Sequence, residues 1–187
     1  MVISSYATHQ VPLMTAILSS SGPVLELGCG WYSTPLVHTL CCHQDRRAVS
    51  LETNEEWHKQ FIQYNCNGHS VVVLAGYPFK NGKFLCRDSV DNYRRLHRRH
   101  MEEIHKDADG PMWGVVLVDQ APGFLRNTAI EFFSDLAEFV VVHDTTPEGI
   151  THYGYEPFLS KYKHRAHYSA QSPHTTVVSN FKKIEFF

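Results

Sequence analysis

Five short apolar segments recur along the chain, and longer amphipathic stretches separate them. The segments are residues 24–27, 48–51, 71–74, 115–118 and 139–142. Such near-continuous runs, rich in valine and leucine, are typical of strands that are buried on both faces of a parallel sheet. The intervals between them are long enough for the crossover helices that parallel strands require. Residues 83–86 compete with residues 71–74 for the third strand.

The intervening stretches predict helices over residues 8–20, 33–42, 55–65, 91–105 and 127–138. Pro35 lies in the first turn of the second of these helices, where proline is tolerated. Near the end of the chain, residues 164–169 and 175–181 predict an antiparallel pair of strands. The pattern as a whole predicts a doubly wound α/β fold, whose mostly parallel sheet carries an antiparallel C-terminal hairpin.

The composition is that of one globular domain over residues 1–187. The chain has 187 residues, of which 43% are hydrophobic and 19% are charged. This length supports one sizeable core and is short for two ordinary domains. Lys and Arg number 17 and Asp and Glu number 19, which gives a formal charge of −2. Bulk charge therefore does not point to nucleic acid or to an anionic membrane.

The cysteines and the first residues of the chain predict the cellular compartment of the protein. Five cysteines without a C-x-x-C pair fit neither a disulfide framework nor a four-cysteine zinc site. The chain does not begin with a basic segment followed by a long apolar one, as a signal peptide does. No apolar run approaches the roughly 20 residues of a membrane span. We therefore expect a soluble, cytoplasmic protein that does not bind membranes.

Polar residues follow the predicted strands where a ligand site is expected. They are Gly28-Cys29-Gly30, Glu52-Thr53, Asp119-Gln120 and His143-Asp144. Doubly wound sheets bind ligands beyond the carboxyl ends of their strands, near the point where the strand order reverses. A single acidic residue in such a position commonly caps a helix. Several at one edge favour a functional site.

The first strand leads into a glycine loop and then into a helix, as in nucleoside-binding folds. Glycines let the backbone approach a ligand closely, and Glu52, 22 residues after Gly30, is placed to hold ribose hydroxyls. A dinucleotide-binding loop has a third glycine where this chain has Ser33. Glu26 precedes the loop, and an acid there suits a cationic ligand better than a pyrophosphate. The residues therefore favour S-adenosylmethionine over NAD.

The segment E-L-G-C-G, with an acid at the end of the second strand, resembles the class I S-adenosylmethionine-dependent methyltransferases. The resemblance implies that Glu26, Gly28 and Gly30 surround the methionine part of the cofactor and that Glu52 binds the ribose. The segment Arg87-Asp88-Ser89 resembles a region that contacts adenine in some relatives. The candidate cofactor-binding residues are Glu26, Gly28, Gly30, Ser33, Glu52, Thr53, Asp88, Ser89 and Asp119.

Two further segments resemble O-methyltransferases of small molecules and sugars. They are V-D-x-x-P-G at Asp119 and H-D at His143 and Asp144. In catechol-type enzymes the acids at these strand ends bind a divalent cation, which implies Mg²⁺ at Asp119 and Asp144, although Thr145 stands where those enzymes have an amide ligand. Asp119, His143 and Asp144 are the candidate catalytic residues, with His143 or Asp119 as general base. The expected acceptor is a small-molecule or sugar hydroxyl.

Three alternatives remain at this point. A nucleic-acid methyltransferase would use the arginine-rich segment that contains Arg94, Arg95, Arg98 and Arg99, although the chain has no (D/N)PPY segment after the fourth strand. A non-catalytic scaffold would keep the fold and the nucleoside pocket. An NAD oxidoreductase is disfavoured by Ser33. Tyr6, Thr8 and His9 are expected to fold over the mouth of the cofactor site, and the sequence leaves the oligomeric state open.

Overall fold

The computed structural model of the protein describes residues 7–108 and 110–186; Tyr6 lies outside these ranges. The predicted strands are confirmed, with small shifts in their ends. The described strands are β1 (Val24–Leu27), β2 (Ala48–Glu52), β3 (His69–Val73), β4 (Phe79–Lys80), β5 (Lys83–Phe84), β6 (Trp113–Val118), β7 (Ala137–His143), β8 (His164–Tyr168) and β9 (Thr175–Ser179).

In the described residues, a seven-stranded sheet has the order β3-β2-β1-β6-β7-β9-β8. Strands β3, β2, β1, β6 and β7 pair in parallel, whereas β9 pairs antiparallel with both β7 and β8. The strand order reverses at β1, because β2 lies on one side of it and β6 on the other. The predicted doubly wound sheet with an antiparallel C-terminal hairpin is confirmed.

The helices cover both faces of this sheet. They are α1 (Gln10–Leu18), α2 (Thr34–His43), α3 (Glu55–His58), α4 (Val90–Lys106), α5 (Arg126–Phe132), α6 (Pro147–Tyr153) and α7 (Glu156–Leu159). Strand residues alternate between the two layers. Leu25, Leu27 and Val116 pack in one buried cluster, whereas Val24 and Val115 pack in a second cluster on the opposite face.

The helix predicted over residues 55–65 is wrong in its length. Helix α3 ends at His58, and a separate 3-10 turn covers Ile62–Tyr64. Hydrogen bonds between this segment and the edge strand β3 prevent the segment from continuing as one helix. The His58 ring nitrogen Nε2 lies 3.1 Å from the Val71 carbonyl oxygen, and the Val71 N–H donates to the Asn65 side chain at 2.6 Å. These tertiary contacts outweigh local helix propensity.

The third strand of the sheet is formed by residues 69–73 and not by residues 83–86. Strand β3 begins at His69 and occupies the sheet edge, while residues 83–84 pair with β4 in a small separate hairpin. The helix predicted over 127–138 is wrong in its length: α5 ends at Phe132, a turn follows, and the last two residues of the prediction belong to β7. In the described part of the chain, no helix has both the length and the apolar character needed to cross a membrane.

Candidate functional site

The glycine loop crosses the carboxyl ends of the central strands. Gly28 follows β1 with a φ of +94°, a conformation that residues with a Cβ rarely adopt. A Cβ on Gly28 would lie 2.7 Å from the carbonyl oxygen of Asp119, at the end of the neighbouring strand β6. The loop therefore passes against β6 at a distance that only glycine permits. This contact brings the loop and Asp119 to one place.

A cleft of about 380 Å³ opens where the loop meets the ends of β6 and β7. The glycine loop, the residue that caps α2, and several aromatic, histidine and aspartate side chains surround it. Its lining consists of His9, Cys29, Gly30, Trp31, Tyr32, Ser33, Trp57, Asp119 and His143. The cleft thus joins the predicted nucleoside loop to predicted catalytic residues. Gly30, Ser33, Asp119 and His143 are brought together as the sequence analysis expected.

Glu52 is the last residue of β2, and its carboxylate binds the backbone of the glycine loop. Its Oε2 accepts the Cys29 backbone N–H at 3.1 Å, and its Oε1 accepts the N–H groups of Thr53 and Asn54 at 2.7 and 2.9 Å. Burial raises the pKa of Glu52, and these N–H groups oppose that shift. Neither Glu52 nor Thr53 lines the cleft. In this structure the Glu52 carboxylate fixes the loop, and its role in binding a ribose stays a prediction.

Glu26 lies fully buried on β1, beneath the loop. Its Oε2 accepts hydrogen bonds from the hydroxyl of Thr34, at 2.9 Å, and from the hydroxyl of Ser50. Burial raises the pKa of Glu26 to about 7, although the hydroxyl groups around it favour the charged form. Glu26 does not line the cleft. Its contacts tie β1, β2 and the start of α2 together under the loop.

Arg126 links the two strand-end carboxylates. Its guanidinium lies 2.8 Å from Asp119 and 2.8 Å from Asp144. Burial, the largest single influence, raises the pKa of Asp119, but Arg126 and His143 together outweigh it and hold that pKa below its usual value. A Mg²⁺ site needs these carboxylate oxygens as ligands, and the guanidinium already engages both side chains. The guanidinium therefore competes with the predicted cation for these oxygens, and Mg²⁺ at Asp119 and Asp144 stays a prediction that these contacts do not favour.

His143 is held between the same two acids. Its Nδ1 lies 3.1 Å from Asp119 and 3.5 Å from Asp144, and its Nε2 lies 3.1 Å from the Thr8 hydroxyl. Burial disfavours the imidazolium, but the two carboxylates outweigh burial and raise the pKa of His143. Asp144 adopts a φ of +59°, an unusual conformation for a residue other than glycine. Such strain is concentrated at functional sites.

His9 differs from the other residues of this site in the hydrogen bonding of its ring. It is 3% exposed, and neither of its ring nitrogens has a hydrogen-bond partner within residues 7–108 and 110–186. It packs edge-on against His143 at 4.7 Å between ring centroids. Burial, followed by the charge of His143, lowers the pKa of His9 to about 4. Sequence reasoning placed His9 over the cofactor mouth but did not identify it as a site residue. Arg126 was missed altogether.

Solved structures share this architecture. An O-methyltransferase, TomG from Streptomyces achromogenes, in complex with S-adenosylmethionine, is 14% identical with a TM-score of 0.57, over 91% of this chain and 78% of that chain. The O-methyltransferase of Bacillus cereus, in complex with S-adenosylhomocysteine, is 14% identical with a TM-score of 0.55, over 96% and 82%. A methyltransferase of Pyrococcus furiosus is 12% identical with a TM-score of 0.51, over 92% and 83%.

The chain has the fold of the class I methyltransferases. No protein-family model matches the sequence, and no curated protein matches it. At these identities the likeness establishes the fold, while function has to be argued from the site.

Within the methyltransferase fold, Asp88 and Ser89 lie apart from the cleft. The Ser89 hydroxyl accepts the Asn92 backbone N–H at 3.2 Å and caps α4. Asp88 accepts the Asn92 side-chain amide at 2.6 Å and lines a surface cavity beside Arg95 instead. Both side chains therefore contribute to the start of α4, and the predicted adenine contact stays a prediction. A Ser followed by three helix-compatible residues is an ordinary capping signal.

An aromatic wall borders the cleft on the side of α3. The Trp31 ring is half exposed and packs against Phe61 at 4.9 Å between centroids and against Trp57 at 6.4 Å. The Trp57 indole N–H donates to the Cys29 carbonyl at 2.8 Å, which fixes the wall to the glycine loop. An exposed indole face beside a nucleoside loop offers a stacking surface for a flat ring.

Proposed function

We propose that the chain is an S-adenosylmethionine-dependent methyltransferase that acts on a hydroxyl group of a small-molecule or sugar acceptor. One observation carries the proposal: the glycine loop and the group of His9, Asp119 and His143 line the same cleft. A nucleoside-binding loop alone supports a binding protein. A loop that shares its cavity with proton-accepting side chains supports transfer chemistry.

The cleft residues fit the proposed cofactor. Gly30 and the Cys29 backbone give a ligand close access to the loop, and the Trp31 face suits an adenine or acceptor ring. The Asp119 carboxylate favours a positively charged donor, and S-adenosylmethionine is a sulfonium cation. When bound, this cofactor supplies an electrophilic methyl group, so that positioning provides much of the catalysis. The buried nitrogens of His9 have no hydrogen-bond partner in the part of the chain that the structure describes, which favours a ligand that hydrogen-bonds there.

His143 is the proposed general base. Asp119 lies at its Nδ1, which favours the tautomer with a proton on Nδ1 and a lone pair on Nε2. That lone pair now faces the Thr8 hydroxyl. In the proposed reaction an acceptor hydroxyl takes this place and passes its proton to Nε2 of His143, while the bound cofactor would supply the methyl group to the hydroxyl oxygen. Asp119 and Asp144 stabilise the imidazolium that results.

Arg126 makes a divalent cation unnecessary for holding the acids in place. It engages Asp119 and Asp144 from α5 and also donates to the Gln120 carbonyl at 3.0 Å. We propose that methyl transfer proceeds without Mg²⁺. Turnover that is unchanged by a chelator would support this, and turnover restored only by added Mg²⁺ would contradict it.

The nucleic-acid alternative has less support from the structure. The arginine-rich face of α4 is exposed, and part of it is paired within the fold, since Arg94 lies 3.4 Å from Asp91 and Arg98 lies 3.4 Å from Glu131. The surface cavities that this face lines share no residue with the cleft. An RNA bound there by its phosphates would show strong salt dependence. The acceptor screen should therefore include RNA at two salt concentrations.

The test combines cofactor binding with methyl transfer. Calorimetry with S-adenosylmethionine and S-adenosylhomocysteine measures binding, and release of S-adenosylhomocysteine across a panel of phenols, sugars and uronic acids measures transfer. His143→Asn should bind the cofactor as the wild type does and transfer about 10²- to 10⁴-fold more slowly. The matched control is His152→Asn, an exposed histidine on α6 outside the cleft, which should keep full activity.

Two results would contradict the proposal. A folded protein that binds neither compound is not a methyltransferase of this kind. Cofactor binding without transfer to any acceptor, and with identical behaviour of the His143 and His152 variants, would favour the non-catalytic scaffold.

A further inference from the structure

A second cluster of nitrogen and sulfur ligands lies away from the cleft. His38 and Cys42 are on α2, and Cys66 and His69 flank the turn that leads into β3. One ligand atom each from His38, Cys42 and Cys66 lies within 4.8 Å of the other two. None of the four residues lines the methyl-transfer cleft. Cysteine sulfur and imidazole nitrogen are the ligands that zinc prefers.

Local structure brings the four side chains together in two pairs. His38 and Cys42 are four residues apart, which places them on one face of α2. Cys66 and His69 form a tight antiparallel bridge: the Cys66 N–H donates to the His69 carbonyl at 2.9 Å, and the His69 N–H donates to the Cys66 carbonyl at 3.2 Å. The spacing is therefore H-x₃-C on a helix and C-x₂-H at a turn, which matches the paired ligand spacing of structural zinc sites.

The distances approach those of a tetrahedral site. Zinc bonds of about 2.0 Å to nitrogen and 2.3 Å to sulfur put two nitrogen ligands about 3.3 Å apart, and a nitrogen and a sulfur about 3.6 Å apart. Nδ1 of His38 lies 3.3 Å from Nδ1 of His69. Nδ1 of His38 lies 4.0 Å from Sγ of Cys42. Sγ of Cys42 lies 3.9 Å from Nε2 of the same ring, and His69 is outside the group of ligand atoms that lie within 4.8 Å of one another. Binding of one ion by all four side chains therefore requires side-chain rotations at His38 and at the two cysteines.

Behind the cluster, His69 already has the partner that a ligating histidine needs. Its Nε2 lies 2.8 Å from the Ser50 hydroxyl, and that hydroxyl donates to Glu26. Metal-bound histidines almost always use their second nitrogen in such a contact, which fixes the tautomer and the ring orientation. His69 is fully buried, so its Nδ1 is held toward His38 by the fold. Cys42 and Cys66 are exposed, which gives an ion access to the site.

We propose that His38, Cys42, Cys66 and His69 bind one zinc ion and that this ion clips the edge strand β3 to α2. The two cysteine thiols release their protons to solvent when the ion binds. The site is independent of the proposed methyl transfer. It is a mixed site spread over 32 residues of sequence, from 38 to 69, and it differs from the four-cysteine type that the composition disfavours.

The experiment uses the full chain, reduced and freed of metal by a chelator, and titrates it with Co²⁺ as a spectroscopic probe for zinc. A tetrahedral site with two thiolates gives intense visible bands and a thiolate charge-transfer band in the near ultraviolet, with one ion per chain. Competition with Zn²⁺ then gives the affinity. Cys42→Ser and Cys66→Ser should each abolish or halve the thiolate band and weaken Zn²⁺ binding at least about 100-fold, since even the loss of an outer-shell partner costs 10- to 100-fold.

The matched control is Cys86→Ser, an exposed cysteine outside the cluster, which should leave the spectrum and affinity unchanged. Circular dichroism checks that each variant is folded, which the exposure of these cysteines favours. Co²⁺ binding without a thiolate band, or a band that survives in both Cys42→Ser and Cys66→Ser, would overturn the proposal. Because the readout does not use S-adenosylmethionine, its result is separate from the test of methyl transfer.

Discussion

Replacing Arg126 with leucine should be among the most damaging single changes in this protein. The guanidinium side chain is 8% exposed, and it pairs with Asp119 and Asp144, whose side chains are 23% and 27% exposed. Removing one partner of a buried ion pair typically costs about 3–5 kcal/mol, because an uncompensated charge remains. The two acids retain some contact with water, so we expect a loss of about 3 kcal/mol in the free energy of unfolding. The variant also leaves the Gln120 carbonyl without its donor.

The stability difference between the wild type and Arg126→Leu should depend on pH. Arg126 and His143 hold the folded-state pKa of Asp119 below its usual value. A carboxyl with a lowered folded pKa adds stability above its unfolded pKa of about 3.9, and that stability is lost as the pH falls through the folded value. The difference between wild type and Arg126→Leu should therefore be largest near neutral pH and shrink in acid. Urea unfolding, followed by circular dichroism at pH 7 and at about pH 2.5, below the unfolded pKa, measures both.

The control for this experiment is Arg98→Leu. Arg98 is also an arginine facing an acid, Glu131, but both side chains are nearly half exposed. An exposed pair contributes about 0–1 kcal/mol. If Arg126→Leu were no more destabilising than Arg98→Leu at pH 7, the argument that Arg126 neutralises the two strand-end acids would be refuted.

Three further changes test other parts of the fold. Burial raises the pKa of Glu26 in the folded protein to about 7, so the free energy of unfolding should fall as the pH rises from about 4 to 7 and this carboxyl ionises. Glu26→Gln should remove roughly 3 kcal/mol of this pH dependence, measured by urea unfolding across that range. Gly28→Ala should cost about 2–3 kcal/mol by thermal unfolding, since its Cβ meets the Asp119 carbonyl, whereas Gly82→Ala, with a φ of +70° in open space, should cost about 1 kcal/mol. Tyr162→Phe should cost about 1–2 kcal/mol in urea unfolding, because its hydroxyl donates to the Ile130 carbonyl at 2.5 Å.

The sheet could be predicted from the sequence because its signal is local. Each central strand is a short apolar run, and burial on both faces explains the lack of alternation in β6 and β7. The segment 55–65 could not be predicted from such a signal. Its helical pattern is broken by the hydrogen bonds that Asn65 and His58 make with Val71, and no local sequence feature announces partners on a neighbouring strand.

The site was predictable where a residue directly follows a strand. Asp119 and His143 reach the cleft because parallel strands bring their carboxyl ends to one edge. Arg126 is eight residues beyond the end of β6, at the start of α5, and no spacing rule connects it with Asp144. His9 precedes α1 and reaches the cleft only because that helix packs against β6, β7 and β9. A lone histidine before a helix carries no sequence signal for such a position.

The contact between Thr8 and His143 joins residues 135 positions apart. Loop-closure entropy makes such a contact costly to form before the intervening sheet exists. We therefore expect the proposed catalytic cluster to be among the last parts of the molecule to assemble. A ligand that bridges His9 and His143 would lock the beginning of the chain to β7, and it would slow unfolding as well as fill the cleft. Protection of the first helix from hydrogen exchange would then report occupancy of the cleft, even before any acceptor is known.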